Sequence, residues 1–360
     1  MRKLHFLFAS CLLYTITNAQ ISVDPLTPSN SLPIGVSASI GWTLDFSDEF
    51  TGTTIKTAKW NVENITTSRK GAPNIGVKYT YWKAQNALVS NGNLVLTASK
   101  EDDSTMYDAA INTKNKYENR YGYYEARVKI GDPNKGTNSA FWLMGNNVAN
   151  VDGTGNDGAE IDIFECTWTT AMAQSSIHID GYGTDHQSNP TQYSAPNLFT
   201  GYHTWGLWWT ASFLRVYYDG SLVAQYTDTK WIPWVVERII LSNSPGWALK
   251  GDQYFTNQPL GILTQYYVDY IRVWKQSATS AVTVPKSNPG ILQVEVKDDK
   301  VQFNAFSTIS TLNVYDIAGK VVAKSSPNEN SHIINSNSGV YIVEAKLAQG
   351  GLYRKKFVVQ

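Results

Sequence analysis

Three carboxylates, Glu160, Asp162 and Glu165, fall within the short stretch GNDGAEIDIFECTW, residues 155–168. They are interleaved with Ile161, Ile163 and Phe164, as in a strand with one buried face. Side chains alternate on a strand, so Glu160 and Asp162 share one face and Ile161 and Ile163 the other. Strict alternation would send Glu165 to the apolar side. A one-residue bulge at Ile163–Phe164 returns it to the face of Glu160 and Asp162. A merely solvated polar face explains the row poorly, because like charges repel and the segment supplies no cation. Glycoside hydrolysis needs such a set. Two carboxylates about 5–5.5 Å apart act as nucleophile and acid/base with retention, and a wider gap admits water and inverts. Two residues of one strand leaning together across a bulge suit the shorter distance, with Asp162 hydrogen-bonding the nucleophile. Proximity of negative groups raises at least one pKa and keeps the acid protonated near neutrality.

A strand is useful for this only inside a sheet, and the chain is built for sheets. Period-two runs bounded by turn residues recur, among them residues 93–99, 122–130, 139–145, 175–181, 203–210, 214–226, 238–243 and 267–275. Asp219-Gly220, between two such runs, is a hairpin signal. Residues 41–276 are therefore expected to form one all-β sandwich with two large sheets. Hydrophobic residues make up 42%, enough for its core, and Trp 12 and Tyr 21 supply flat rings for packing on sugars. Lys+Arg 30 balance Asp+Glu 30, which leaves no basic excess for nucleic acid or an anionic membrane.

The first residues, MRKLHFLFASCLLYTITNA (1–19), read as a secretory signal peptide, too short in its apolar run to span a bilayer. Residues 20–40 form an N-terminal extension. Cleavage after Ala19 leaves Cys166 alone, so stability must come from the core instead of disulfides. Residues 277–290 (SATSAVTVPKSNPG) read as a linker, and residues 291–360 as a second, smaller β-sandwich.

The run Glu160-Ile-Asp-Ile-Phe-Glu165 resembles the bulged E-x-D-x-x-E signature of glycoside hydrolase family 16, which includes laminarinases, agarases, porphyranases and κ-carrageenases. FSDEFTG (46–52), SNGNLVLTA (90–98), YGYYEARVKI (121–130), GTNSAFWLMG (136–145) and VDYIRVW (268–274) follow the family's order. The resemblance implies a concanavalin-like jelly roll with a cleft on its concave face. It assigns Glu160 as nucleophile, Asp162 as assisting acid and Glu165 as general acid/base. It also implies substrate contacts for Trp142 and His178; Trp168, just beyond the catalytic strand, Trp82 among the remaining tryptophans, and Arg69 in the 68–93 region are further candidate contacts. No cofactor is expected for catalysis, but one structural calcium is, at Glu49, Gly92 and Asp269. Residues 68–93 lack the WGNNELQYYT-like segment of many laminarinases, while Arg69, Lys70 and Lys78 lie there, cations suited to sulfate esters. An algal galactan of agar, porphyran or carrageenan type is thus preferred over a β-glucan. A non-catalytic carbohydrate-binding sandwich has no need of three converging carboxylates, and a transglycosylase shares the same covalent intermediate.

The segments LNVYDIAGKVV, SGVYIVEAKL and YRKKFVVQ of the tail resemble the C-terminal sorting domain of type IX secretion. The expectation is a monomeric enzyme exported through the periplasm and handed to that machinery, with a polysaccharide as substrate and no insertion into the membrane.

Overall fold

The computed structural model describes residues 22–247 and 255–276, and in the C-terminal part residues 292–297, 300–316, 320–327, 329–335, 337, 339–348 and 352–359. The expected signal peptide (1–19) and linker (277–290) lie outside the described residues. The chain divides into two compact units, Met1–Ser277 and Ala278–Gln360. Among the described residues there is no α-helix, only short 3-10 turns between strands.

The first unit is a two-layer sandwich, antiparallel except where Val77–Trp82 runs parallel to Thr105–Asn112. One layer runs Thr105–Asn112, Glu237–Pro245, Thr137–Gly145, Glu160–Cys166, Met172–Ile179, Gln187–Ser194. The other runs Ser221–Tyr226, Leu214–Tyr218, His203–Trp209, Gly122–Lys129, Gly261–Gln276. Asn93–Lys100 and Trp42–Asp48 share the far edge of its long last strand. Thr105–Asn112 links the layers, pairing with Asn93–Lys100 at its start and with Glu237–Pro245 at its end. Phe141, Phe164 and Ile177 from one layer meet Tyr124, Trp205 and Val268 from the other in a continuous core.

The hairpin expected at Asp219-Gly220 is present. Both residues have positive φ, 45° and 77°, the left-handed pair that matches strand twist in a two-residue turn. Residues 22–40, read as an extension, pack onto the body. The Trp274 indole donates to the Ser31 carbonyl at 3.2 Å, and the Ile34 amide donates to Glu125 at 2.9 Å.

In the second unit Lys300–Asp316 is the central strand, flanked by Leu292–Lys297, Val321–Ser325, Glu329–Asn335 and Gly339–Leu347, the last of which pairs with Leu352–Val359. It has its own core around Phe303, Leu312, Val343 and Phe357. Because each unit buries its own apolar side chains, ending the chain after Gln276 is expected to leave the calorimetric transition of the first unit in place. Loss of cooperative melting in that shortened protein would show that the units depend on each other.

Candidate active site

The bulge expected in the carboxylate strand is there. Phe141 faces Phe164 and Trp142 faces Asp162, so Ile163 is an extra residue on Glu160–Cys166. On the other side Asp162 faces Ser176 and Glu165 faces Gln174, with the same irregularity between them. Ile161, Ile163, Phe164 and Cys166 go to the core. Glu160, Asp162 and Glu165 are left together on the opposite face, close enough for their charges to act on one another.

Each carboxylate is held differently. Glu160, only 8% exposed, accepts a hydrogen bond from the Tyr182 hydroxyl. Asp162 lies 3.3 Å from His178 Nε2. His178 Nδ1 in turn meets His186 Nε2 at 2.9 Å. Glu165 Oε1 accepts from Asn138 Nδ2 at 2.9 Å and from Trp247 Nε1 at 2.8 Å. Burial, then the neighbouring Asp162 charge, pushes Glu160 up to about 8, against the opposing pull of Tyr182. Burial and the Glu165 charge hold Asp162 well above the usual carboxylate range. Burial also raises Glu165, against its hydrogen bonds from Trp247 and Asn138. Three carboxylates in one low-dielectric site do not all ionise near neutrality, so the set retains a proton to give.

The other expected contacts gather around this row. Trp142 is half-buried directly across from Asp162, with its indole donating to Ser242 at 3.1 Å, while Phe141 and Leu143 point into the core. Trp168 meets Trp247 edge to face, with centroids 5.2 Å apart. The Arg69 guanidinium carbon lies over Trp82, 3.7 Å from the ring centroid, and Arg69 pairs with buried Asp108 at 3.1 Å. The Arg69 charge is near enough to be felt by Glu160.

Several groups at the site were not foreseen. Tyr182 and His186 come from the GYGTDH turn after Met172–Ile179, Asn138 from the neighbouring strand, and Asp108 from three strands away. Trp247, one of twelve tryptophans in the sequence, bonds Glu165. Glu237 is buried behind the strand, accepts from the Ala159 amide at 3.0 Å and fixes where the carboxylate strand begins. The one hint in sequence was the Gly-rich turn after the His178 strand.

The two carboxylates expected at a calcium site are each paired with an arginine. Glu49 takes both Nε and Nη2 of Arg272, at 2.9 and 2.8 Å, and a hydroxyl from Thr27. Asp269 pairs with Arg127 at 2.5 Å, and Gly92 occupies a left-handed turn with φ 72°. A calcium ion there would share these carboxylates with the arginines, and Gly92 could offer it only a backbone carbonyl. Among the described residues one trio of acids and histidine comes within 4.8 Å, Glu160, Asp162 and His178. Its atoms are already tied into the Tyr182 and His186 hydrogen-bond network.

Residues 42–276 match the family model described as the glycoside hydrolase family 16 domain of β-porphyranases A–D, well over half of the chain. Residues 287–360 match the secretion system C-terminal sorting domain. That tail directs type IX secretion, to the cell surface or the extracellular space, and no helix among the described residues is long and apolar enough to cross a membrane. The chain is 27% identical to glucan endo-1,3-β-glucosidase A1 of Niallia circulans over 66% of its own length, but spans only 39% of that relative. It is 26% identical to the κ-carrageenase of Pseudoalteromonas carrageenovora, covering 83% of this chain and 82% of that one. Among solved structures it resembles the laminarinase catalytic domain of Thermotoga maritima, with a TM-score of 0.53 and 29% identity over 65% of this chain and 98% of that one.

Proposed function

The chain belongs to glycoside hydrolase family 16, and from that premise we propose that it is an endo-acting, retaining hydrolase of a β-linked, sulfated algal galactan. The observation that carries the chemistry is the bulge at Ile163, which puts Glu160 and Glu165 on one face of one strand.

In the first step a Glu160 oxygen attacks the anomeric carbon from below. Glu165 gives its proton to the departing glycosidic oxygen, and the C–O bond breaks. The product is a covalent glycosyl–Glu160 ester and an ionised Glu165. In the second step Glu165 takes a proton from water, the water oxygen bonds the anomeric carbon, and the ester opens to free Glu160 with the β configuration restored. The first carboxylate must be charged and the second protonated. Of the groups around Glu160, the Tyr182 hydroxyl favours its charged form, against burial and the Asp162 charge. Asp162, held by His178 between the two, disfavours charge on its neighbours until one of them reacts.

The substrate class rests on Arg69. Its guanidinium sits over Trp82 and is braced through one nitrogen by Asp108, and a guanidinium is a planar fork of the kind that takes a sulfate or phosphate through two donors. The family model's porphyranase description and the κ-carrageenase likeness support an anionic galactan. A panel of laminarin, lichenan, agarose, porphyran and κ-carrageenan, scored for reducing ends and product length, is the test. Cleavage of a sulfated galactan is expected, with a β anomer appearing first by proton NMR. Arg69→Ala should cut kcat/KM on it roughly 10–100-fold, the worth of a lost charge-assisted hydrogen bond, and affect agarose far less. Cleavage of laminarin or lichenan alone would reject the galactan, and an α anomer first would reject retention.

A further inference from the structure

We propose that Tyr182 is a positioning residue for the nucleophile: its hydroxyl, brought over the cleft by the turn at 180–186, orients Glu160 and favours its charged form. This deepens the proposed hydrolase reading and rests on Glu160 being the nucleophile.

Tyr182 is 64% exposed, yet its hydroxyl does not simply face water. It turns inward and donates to a carboxylate that is itself only 8% exposed. The turn that carries it is fastened at its base. Asp180 and Gly181 both take left-handed φ, 63° and 66°, so the chain reverses abruptly after Ile179. The Asp180 carboxylate accepts from the amides of Asp152 and Gly153, each at 3.0 Å, and from Gln187 Nε2 at 2.7 Å. The Gly181 amide donates to the Val148 carbonyl at 2.7 Å. Gly181 also passes so close to Ala149 that an added Cβ would lie 3.2 Å from its Cα. The turn is therefore tied to the 146–158 loop on the far side of the carboxylate strand.

The rings continue the bracing. Tyr182 packs on His186, with centroids 4.8 Å apart and planes at 24°. His186 and His178 are nearly parallel at 6°, joined through their 2.9 Å nitrogen contact. His178 ends on Asp162. Between His178 Nδ1 and His186 Nε2 one nitrogen donates and the other accepts. The turn thus reaches the carboxylate row at two points, Glu160 through Tyr182 and Asp162 through the histidine pair.

One Glu160 oxygen is bound by Tyr182, so the other is the oxygen left to attack. A donated hydrogen bond stabilises the charged form, which opposes the two largest influences on this carboxyl and that of Glu165. Those influences are burial and the charges of Asp162 and Glu165 along its own strand. The charge of Glu237, from Glu237–Pro245, also opposes that of Glu160. His178, Arg69 and Arg238 act in the favourable sense from Met172–Ile179, Arg69–Ala72 and Glu237–Pro245. Tyr182 is the one direct hydrogen-bond donor to Glu160 among the described residues.

The test is a carbon-13 carboxyl titration of the free full-length protein, with Glu160→Gln assigning the signal. Tyr182→Phe keeps the ring and its packing on His186 but removes the hydroxyl. The Glu160 midpoint is expected to rise by about one pH unit, the worth of one hydrogen bond to a charged group. An unmoved midpoint overturns the proposal. On whichever panel polysaccharide the wild type cleaves, the acidic limb of kcat/KM should move up by the same amount, with kcat falling more than KM changes. A fall in activity with an unmoved limb would make Tyr182 a substrate contact instead and would also overturn it. A wild type inactive on the whole panel would count against the hydrolase, while the carboxyl titration would still decide the role of Tyr182.

Discussion

Glu160→Gln and Glu165→Gln are each expected to lower kcat by about 10²–10⁴-fold and yet to melt no lower than the wild type. Both replacements keep shape and remove only the ability to ionise. Without charge Glu160 cannot form the glycosyl ester, and without an acidic proton Glu165 cannot expel the leaving sugar. Stability should move the other way because these groups are ionised at a cost. Glu160 has an ordinary value of 4.5 and is pushed to about 8 in the folded chain. A raised acid favours the fold while it is protonated, and that contribution is lost as pH climbs from the ordinary value through the folded one. The wild type should therefore lose stability between about pH 4.5 and pH 8 on account of Glu160, and Glu160→Gln should not. Melting temperatures followed across that window check the sign. Azide should rescue Glu160→Ala by forming a glycosyl azide of inverted configuration. Full activity in either Gln variant would remove the pair from the chemistry.

Phe164→Ala is expected to cost about 3–5 kcal/mol of stability, the range for emptying a large buried aromatic site. Phe164 is fully buried, 4.1 Å from the Trp205 ring and 6.3 Å from that of Tyr266, edge to face. Both partners come from the other layer, so the cavity would open between the sheets where nothing flexible can fill it. Phe164 also follows the bulged residue and precedes Glu165. Slack there would shift the acid/base relative to Glu160, and small misplacements of reacting groups are costly. Urea unfolding of Phe164→Ala, with kcat measured on the folded fraction, gives both numbers. A cost under about 1 kcal/mol, far below that of ordinary aromatic deletions, would mean that the apolar face does not hold the bulge in place.

The two faces of one strand were legible in the sequence because alternation is a local property. Charge at Glu160 and Asp162 beside Ile161 and Ile163 needs only the pleat to be sorted. Three carboxylates on a face with no cation beside them demanded the bulge, and the pairing of Phe141 with Phe164 and Trp142 with Asp162 bears that out. Asp219-Gly220 announced its hairpin because few other residues take two left-handed conformations in succession.

What the sequence could not decide was which distant side chain meets which carboxylate. Trp247 reaches Glu165 across 82 positions, and Arg272 reaches Glu49 across 223. Such partners depend on which strands lie next to one another, and that choice is made by the pairing and packing of the whole sandwich, not by any local period. Arg69 stood out only as a cation among loop residues. The tertiary structure makes it a braced guanidinium by setting Trp82 beneath it and Asp108 beside it. Tyr182 was one more aromatic in a glycine-rich turn until the anchoring of Asp180 and Gly181 to the 146–158 loop aimed its hydroxyl at Glu160. Residue types set what chemistry was available, and long-range packing set the partners and orientation of each group, because hydrogen bonds and charge effects act over a few ångströms of space regardless of distance along the chain.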